Sequence, residues 1–511
     1  MSWLKLLAVA ALPLVVFAQD AGQPISQNAS QTTDQSSNQS TDQITQQKAR
    51  QAAAAAFYAP PPASAGSTQH GVIAEPALIV PVGDTLLEKG RYLARAGDCI
   101  SCHTRPGGAP FAGGLSLKTP FGTIVSTNIT PHKTQGIGNY TEEDFVRLMR
   151  HGKSEDGQNI YPAMPYANFA RLSDGDLQAL YAYFMKGVPA AAQTNATTNL
   201  PWPFSVRALV SVWNRLYVPT APYAPEPTQS AEWNRGAYLV QGLGHCGACH
   251  TPRSVTGAEK ASTEKGGKLF LSGAIIDGWY AQPLRKLSSW SNQDIVDYLQ
   301  TGRSRHTAAF GAMAEVVGNS TQHMTTPDLT AVAVYLKSLE PTPLDASSVS
   351  STSTSTSTST TSTTSTTSTT FSTFNTAAAT TTTNTVTATA LRTGDTRTAG
   401  ALIYLNNCSA CHQSSGQGAQ RTFPSLAQST TVAAQDATSL IRFVLQGAAM
   451  PSATAAPSAL AMPGFDWRLS DANVADVLTF VRNSWGNQAA AVNAQSVAKV
   501  RSDLAKSAAQ K

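Results

Sequence analysis

The chain has 511 residues, enough for three or four domains, yet only 13% of them are charged and the net charge is +5. So small and dispersed a positive balance is no nucleic-acid footprint, and no nucleic acid is expected as a partner. The longest apolar run lies near the N-terminus and falls short of the roughly 18 residues of a spanning helix, which excludes a polytopic membrane protein.

Residues 1–18 read MSWLKLLAVAALPLVVFA: Lys5 precedes an apolar stretch from Leu6 to Phe17, and Val16 and Ala18 are the small residues of a cleavage site. This pattern predicts a signal peptide and an exported chain. Residues 19 to about 70, most of a leader taken to run over 19–84, are rich in Gln, Ser, Thr, Asn and Ala without a hydrophobic period. They cannot offset chain entropy by burial, so a disordered polar leader is expected.

Three helical repeats follow. The first, 85–190, opens on Gly90-Arg-Tyr-Leu and carries Cys99-Ile-Ser-Cys102-His103. It continues with a helix from Asp144 to Gly152 and a Met-bearing loop, and closes on a helix over Asp174–Met185. A connector, 191–230, holds Pro201, Pro203, Pro219, Pro222, Pro225 and Pro227 and is expected to be extended and semi-rigid. The second repeat, 231–341, opens on Gly236-Ala-Tyr-Leu, carries Cys246-Gly-Ala-Cys249-His250, and has helices over Asp294–Gly302 and Pro327–Leu339. A Ser/Thr-rich linker, 342–392, reads as a low-complexity tether. The third repeat, 393–487, opens on Gly400-Ala-Leu-Ile-Tyr-Leu, carries Cys408-Ser-Ala-Cys411-His412, and has helices over Asp436–Gly447 and Asp471–Trp485. The tail, 488–511, is helix-prone. Its thin stripe of Val492, Val497, Val500 and Leu504 suits either a membrane surface or a solvated tail. Thr141, Ser173 and Ser291, each followed by Asp three residues on, mark helix starts. No strand-period run of comparable length appears, so the prediction is three small all-α units.

The six cysteines decide the chemistry. Two thiols three residues apart on one turn can each add to a vinyl group of a haem, with the next His as the proximal iron ligand. A zinc site would need two CxxC knuckles brought together, and three copies leave one over. A thioredoxin-like reading needs a βαβ pattern, which is absent. The reading is three covalently bound haem c groups, held by Cys99, Cys102, Cys246, Cys249, Cys408 and Cys411. Met164 stands 61 residues after His103, and Met313 stands 63 after His250; both lie between the middle and closing helices, as sixth ligands should. Met324 and His323 are weaker rivals for the second haem. In the third repeat Met462 and Met450 compete, 50 and 38 residues after His412. Met462 is favoured because its Ala-Met-Pro matches that of Met164 and its spacing is longer. Met149 and Met185 read as core residues. His132, His151, His245 and His306 read first as surface or core histidines, and Trp279, Trp290 and Trp467 as buried apolar residues. Arg105 and Arg253 are either haem-propionate partners or solvated loop residues.

Gly90-Arg-Tyr-Leu-Ala-Arg-Ala-Gly-Asp-Cys-Ile-Ser-Cys-His-Thr, Ser126-Thr-Asn-Ile-Thr-Pro, Tyr161-Pro-Ala-Met-Pro-Tyr and Gly244-His-Cys-Gly-Ala-Cys-His-Thr-Pro-Arg together resemble the three-haem cytochrome c subunit of the membrane-bound dehydrogenases of acetic acid bacteria and their relatives. The resemblance covers about 85–341 and 393–487. It implies three tandem class I cytochrome c-like domains joined by low-complexity or Pro-rich linkers, with ligand pairs His103 and Met164, His250 and Met313, and His412 and Met462. It implies an electron-transfer subunit at the periplasmic face of the membrane, between a catalytic dehydrogenase subunit of quinoprotein, flavoprotein or molybdopterin type and ubiquinone. The long leader and the Ser/Thr insert depart from the family pattern. Two other readings stay open: a multihaem peroxidase with one open iron, and a stand-alone carrier to a terminal oxidase.

Overall fold

In chain order, the first motif is surrounded by α1 (Thr85–Ala96), the one-turn α2 (Cys99–Cys102), β1 (Ser116–Thr119), β2 (Gly122–Val125), α3 (Glu142–His151), α4 (Tyr166–Phe169) and α5 (Asp174–Ala182), which runs on as a π-turn over Tyr183–Gly187. Next comes α6 (Leu209–Tyr217). The second motif is surrounded by α7 (Ala231–Tyr238) with a π-turn over Leu239–Leu243, α8 (Gly247–His250), β3 (Ala274–Ile276), β4 (Trp279–Ala281), α9 (Asn292–Thr301), α10 (Ala312–Asn319) and α11 (Thr326–Ser338). The third is surrounded by α12 (Ala399–Asn407), α13 (Ser409–His412), α14 (Thr438–Gln446), β5 (Ala448–Ala449), β6 (Ala461–Met462), α15 (Asp471–Arg482) and α16 (Ala494–Ala509). This computed structural model describes residues 85–285, 287–340 and 399–509. The expected signal peptide and leader, and the Ser/Thr tract, lie outside the described residues.

The fold is mostly helical, and one crossing recurs in each bundle. A Cβ on Gly90 of α1 would stand 2.0 Å from the carbonyl oxygen of Ala179 on α5. On Gly236 of α7 it would stand 2.0 Å from that of Ala331 on α11, and on Gly400 of α12 it would stand 2.2 Å from that of Asp476 on α15. The glycine that opens each repeat therefore lets the first and last helices touch backbone to backbone. The expected helix starts form as well. Thr141 and Ser291 make full capping boxes with Asp144 and Asp294, and Ser173 accepts from the Asp176 amide. Each such cap stabilises its helix by about 1 kcal/mol.

Three expectations need correction. The repeats are not purely α: β1–β2, β3–β4 and β5–β6 are antiparallel pairs. Strands of two to four residues are too short to carry a readable period. The 191–230 segment is not extended throughout. It contains α6, which is tied to the first bundle where Asn159 Nδ2 donates to Ser211 Oγ (2.8 Å) and Tyr166 Oη donates to Asn214 Oδ1 (2.7 Å). The tail is neither laid on a membrane nor solvated along its stripe. Val492, Val497 and Val500 are buried in the third core, and Arg501 Nε donates to Asp471 at 2.8 Å.

The first two bundles share one apolar core, running from Leu93, Phe145 and Leu177 to Val240, Leu329 and Leu336. A reciprocal clasp crosses their seam. Tyr92 Oη donates to Asp328 (2.5 Å) and accepts from the Thr325 amide. Tyr238 Oη donates to Asp176 (2.5 Å) and accepts from the Ser173 amide. Each tyrosine stands two residues after its crossing glycine, and each aspartate stands three residues after its helix cap. The third bundle closes a separate core around Tyr404, Val474 and Trp485. It meets the second bundle through polar and ring contacts: Tyr280 N to Ser439 Oγ (2.8 Å), Gln282 Nε2 to Thr431 Oγ1 (2.8 Å), and Arg442 4.2 Å above the Trp279 ring.

Candidate functional site

Each CxxCH segment forms one tight turn. Asp98, in the left-handed region (φ 51°), turns the chain out of α1 so that Cys99 and Cys102 share one face of α2; residues three apart on a helical turn are neighbours. The amides of His103, His250 and His412 each bond back to the carbonyl of the first cysteine of their motif, at 3.0 Å in all three. The imidazoles are then oriented alike. His103 Nδ1 lies 2.7 Å from the Thr127 carbonyl, His250 Nδ1 2.7 Å from that of Gln282, and His412 Nδ1 2.9 Å from that of Pro424. A carbonyl partner fixes the proton on Nδ1 and leaves Nε2 as the nitrogen that can bind a metal. The hairpins β1–β2 and β3–β4 deliver Thr127 and Gln282 to these positions. Sequence reading missed the three carbonyl acceptors, because a backbone oxygen leaves no residue-type signature.

A cavity of about 1250 Å³ opens beside the first motif, lined by Cys99, Cys102, His103 and Met164. Cys249 of the second motif faces the same cavity. Although Cys102 and Cys411 present surface to open space, Cys102 lies deep within the chain at this cavity. Burial pushes the thiols of Cys99, Cys102, Cys246 and Cys408 up to about 12, and that of Cys249 to about 11. Burial thus favours the neutral form of these thiols. Among the described residues no group of three or more His, Cys, Asp or Glu gathers as a metal site. The donor set fits a haem held through two thioethers and an imidazole: neutral thiols paired on one turn, an oriented His, and a large pocket.

The cytochrome c family model matches residues 87–187 and 398–485. The gluconate 2-dehydrogenase cytochrome c subunit of Pantoea cypripedii is 45% identical over 430 residues, covering 82% of this chain and 90% of that protein. The chain belongs to the family of dehydrogenase cytochrome c subunits. The cytochrome c subunit of the quinone-dependent alcohol dehydrogenase of Gluconobacter oxydans is 43% identical, covering 82% of each chain. The fructose dehydrogenase cytochrome subunit of Gluconobacter japonicus is 37% identical, covering 81% of this chain and 82% of that one. A cytochrome c subunit of this family binds haem c covalently, as the turn geometry suits.

The methionines of this cytochrome c subunit differ in setting. Met164 packs on the shared core and lines the large cavity. Met313 is half-buried on the first turn of α10 rather than in a loop. That turn is held by Gly311 against Trp279, three residues before the Gln282 that orients His250. Its rival Met324 is buried in the shared core. Met462 packs on the third core, as Cys408 and Phe443 also do. Met450 is buried in a crevice with Pro424, whose carbonyl already holds His412, and with Arg303 of the second bundle. Met149 is a core residue.

The remaining candidates separate clearly. His245 is half-buried at the seam, with Nε2 3.3 Å from the Gly97 carbonyl. His306 stacks on Trp290 at 4.7 Å, and Trp467 is exposed. Arg253 binds the carbonyls of Gly257 and Ala248, both at 2.6 Å, so it braces its own loop.

Proposed function

We propose that this chain is a three-haem electron-transfer subunit that accepts electrons from a catalytic dehydrogenase subunit and delivers them to ubiquinone at the periplasmic face of the membrane. The observation that carries the count of three is the thrice-repeated site: CxxCH on one turn with His Nδ1 on a backbone carbonyl. The thrice-repeated glycine crossing supports domains over 85–190, 231–341 and 393–487. The proposed iron ligands are His103 with Met164, His250 with Met313, and His412 with Met462. Met462 is favoured because it packs on the third core, as Cys408 does, whereas Met450 lies in a crevice with Pro424, whose carbonyl holds His412. When bound, the haems supply one-electron iron couples, and thioether with imidazole ligation favours the ferrous state.

The chain's own part is to hold those groups, orient the imidazoles and keep water away. Its first two sites share a cavity wall at Cys102 and Cys249. Between the second and third bundles stands a ring cluster of Trp279, Phe310 and Phe443, with the first two centroids 5.4 and 5.1 Å from that of Phe443. The relatives' names attach them to gluconate, alcohol and fructose dehydrogenases, which supports a catalytic dehydrogenase partner here. Export rests on the signal-like residues 1–18, and the Ser/Thr-rich linker, 342–392, is read as a tether from its composition.

Mixing the oxidised chain with its dehydrogenase and substrate should raise the reduced haem bands at a rate set by the dehydrogenase, and added short-chain ubiquinone should reoxidise them. Haem that stays oxidised under those conditions would overturn the reading.

A further inference from the structure

Helix α6 is built inside out. Its polar side chains Ser211 and Asn214 face the first bundle, where Asn214 Nδ2 also donates to the His151 carbonyl at 2.9 Å. Its apolar side chains Leu209 and Val212, three residues apart and on one helical face, point outward and are 53% and 60% exposed. The segment just before it extends the same character: Trp202 is 82% exposed, and Phe204 and Val206 are exposed as well. Contiguous exposed apolar surface of this kind marks an interaction site. The hydrogen bonds on the opposite side lock the helix in this orientation, so rotation cannot hide the apolar face.

Charge says which partner fits. Between Asp176 and Glu226 the sequence contains no acidic residue, while Lys186 and Arg215 are cationic and exposed; Arg207 turns inward, donating to the Asn159 carbonyl at 2.8 Å over the Tyr161 ring. An exposed face of Trp, Phe, Leu and Val with basic and no acidic residues matches the interfacial layer of an anionic bilayer. Aromatic rings belong at the headgroup level, and the exposed Arg215 of α6 can meet its phosphates. The tail helix α16 offers no competing seat, because its apolar stripe is buried in the third core.

We propose that Trp202–Val206 and the outer face of α6 seat the chain on an anionic lipid surface. The proposal rests on the reading that the chain delivers electrons to a membrane quinone, and it adds where that membrane lies. The inner side of the same helix helps to wall the first cavity, through Trp213 and Leu216. The seat therefore brings the first haem site, among the three, against the lipid in which a quinone dissolves.

The test is flotation of the full haem-loaded chain with vesicles of equal parts phosphatidylcholine and phosphatidylglycerol. The wild type should float, less so as salt rises. Leu209→Glu with Val212→Glu should bind roughly tenfold more weakly or worse, with unchanged haem spectrum and content. Equal flotation of the variant overturns the proposal, as does a wild type that does not float. So does a variant that floats normally but no longer co-purifies with the catalytic subunit, since the face then belongs to that protein. Haem reduction by the dehydrogenase in detergent solution reads the electron-transfer role separately. Failure there with vesicle binding intact would fault the function and leave the seat standing.

Discussion

Between the first and second bundles the apolar core is continuous, from Leu93 and Leu177 to Val240 and Leu336, whereas the core around Tyr404 and Trp485 closes on itself. Both regions use the same glycine crossing, so the difference lies at the surface of the crossed helices. Two residues after the crossing glycine stand Tyr92 and Tyr238 in the fused pair, but Leu402 in the third bundle, where it is exposed. Three residues after the closing helix's cap stand Asp176 and Asp328, but Asn473 in the third. Both halves of the clasp are missing from the third bundle together. One helical unit thus fuses or merely docks according to two side chains at fixed register positions.

The strongest way to break this comparison is at the glycines. Gly236→Ala places a methyl group against the Ala331 carbonyl, backbone that cannot move aside. We expect a loss at or above the upper end of the about 1–3 kcal/mol typical of overpacking, and haem loss from both fused bundles. Gly400→Ala should strip only the third haem and leave the other two in place. Haem counts and thermal unfolding of the two variants check this, and equal damage from both would refute the separation of cores.

A smaller effect is expected at the clasp. Tyr92→Phe leaves Asp328 without one donor and should cost about 1–3 kcal/mol, as should Tyr238→Phe. Leu402→Phe should be nearly neutral. The clasp also carries a pH signature. Burial pushes the Asp328 carboxyl up, but hydrogen bonds from Arg235 and Tyr92 outweigh it and hold the group below the usual carboxylate range. A depressed folded value means that the contribution is complete above the ordinary carboxylate pKa of about 4 and is lost as pH falls through the folded value. Acid titration of the fused pair should therefore show a stability slope at low pH that Asp328→Asn flattens; an unchanged slope would place the linkage elsewhere.

The smallest effect is expected at the docking surface of the third bundle. Arg442→Ala removes the cation over Trp279 and the bond to the Asp277 carbonyl at 2.7 Å. Electron exchange between the second and third haems should slow a few-fold, more at high salt, with all three haems retained. Flash-reduction kinetics would show it, and a rate equal to wild type would mean that the ring cluster is no junction.

Much of this was legible in the chain. The Gly-x-Tyr-Leu openings, the CxxCH turns and the Ser/Thr caps lie in short contiguous motifs, and local physics acts on such motifs directly. What could not be read depends on distant partners. The Tyr92–Asp328 bond joins residues 236 apart, and the carbonyls of Thr127, Gln282 and Pro424 are backbone atoms that any residue supplies. The α6 helix was hidden among prolines, and its inverted face contradicts the inward-apolar pattern by which helices are read. The stripe of α16 shows the converse: thin in sequence, it is covered by the third core.

The central claim is that each of the three CxxCH turns binds one haem covalently. Acid-acetone extraction followed by pyridine haemochrome analysis of the purified chain tests it directly. We predict three haems per chain, none extractable, all low-spin in the isolated protein. A count of two, or haem that leaves with the solvent, would contradict the account.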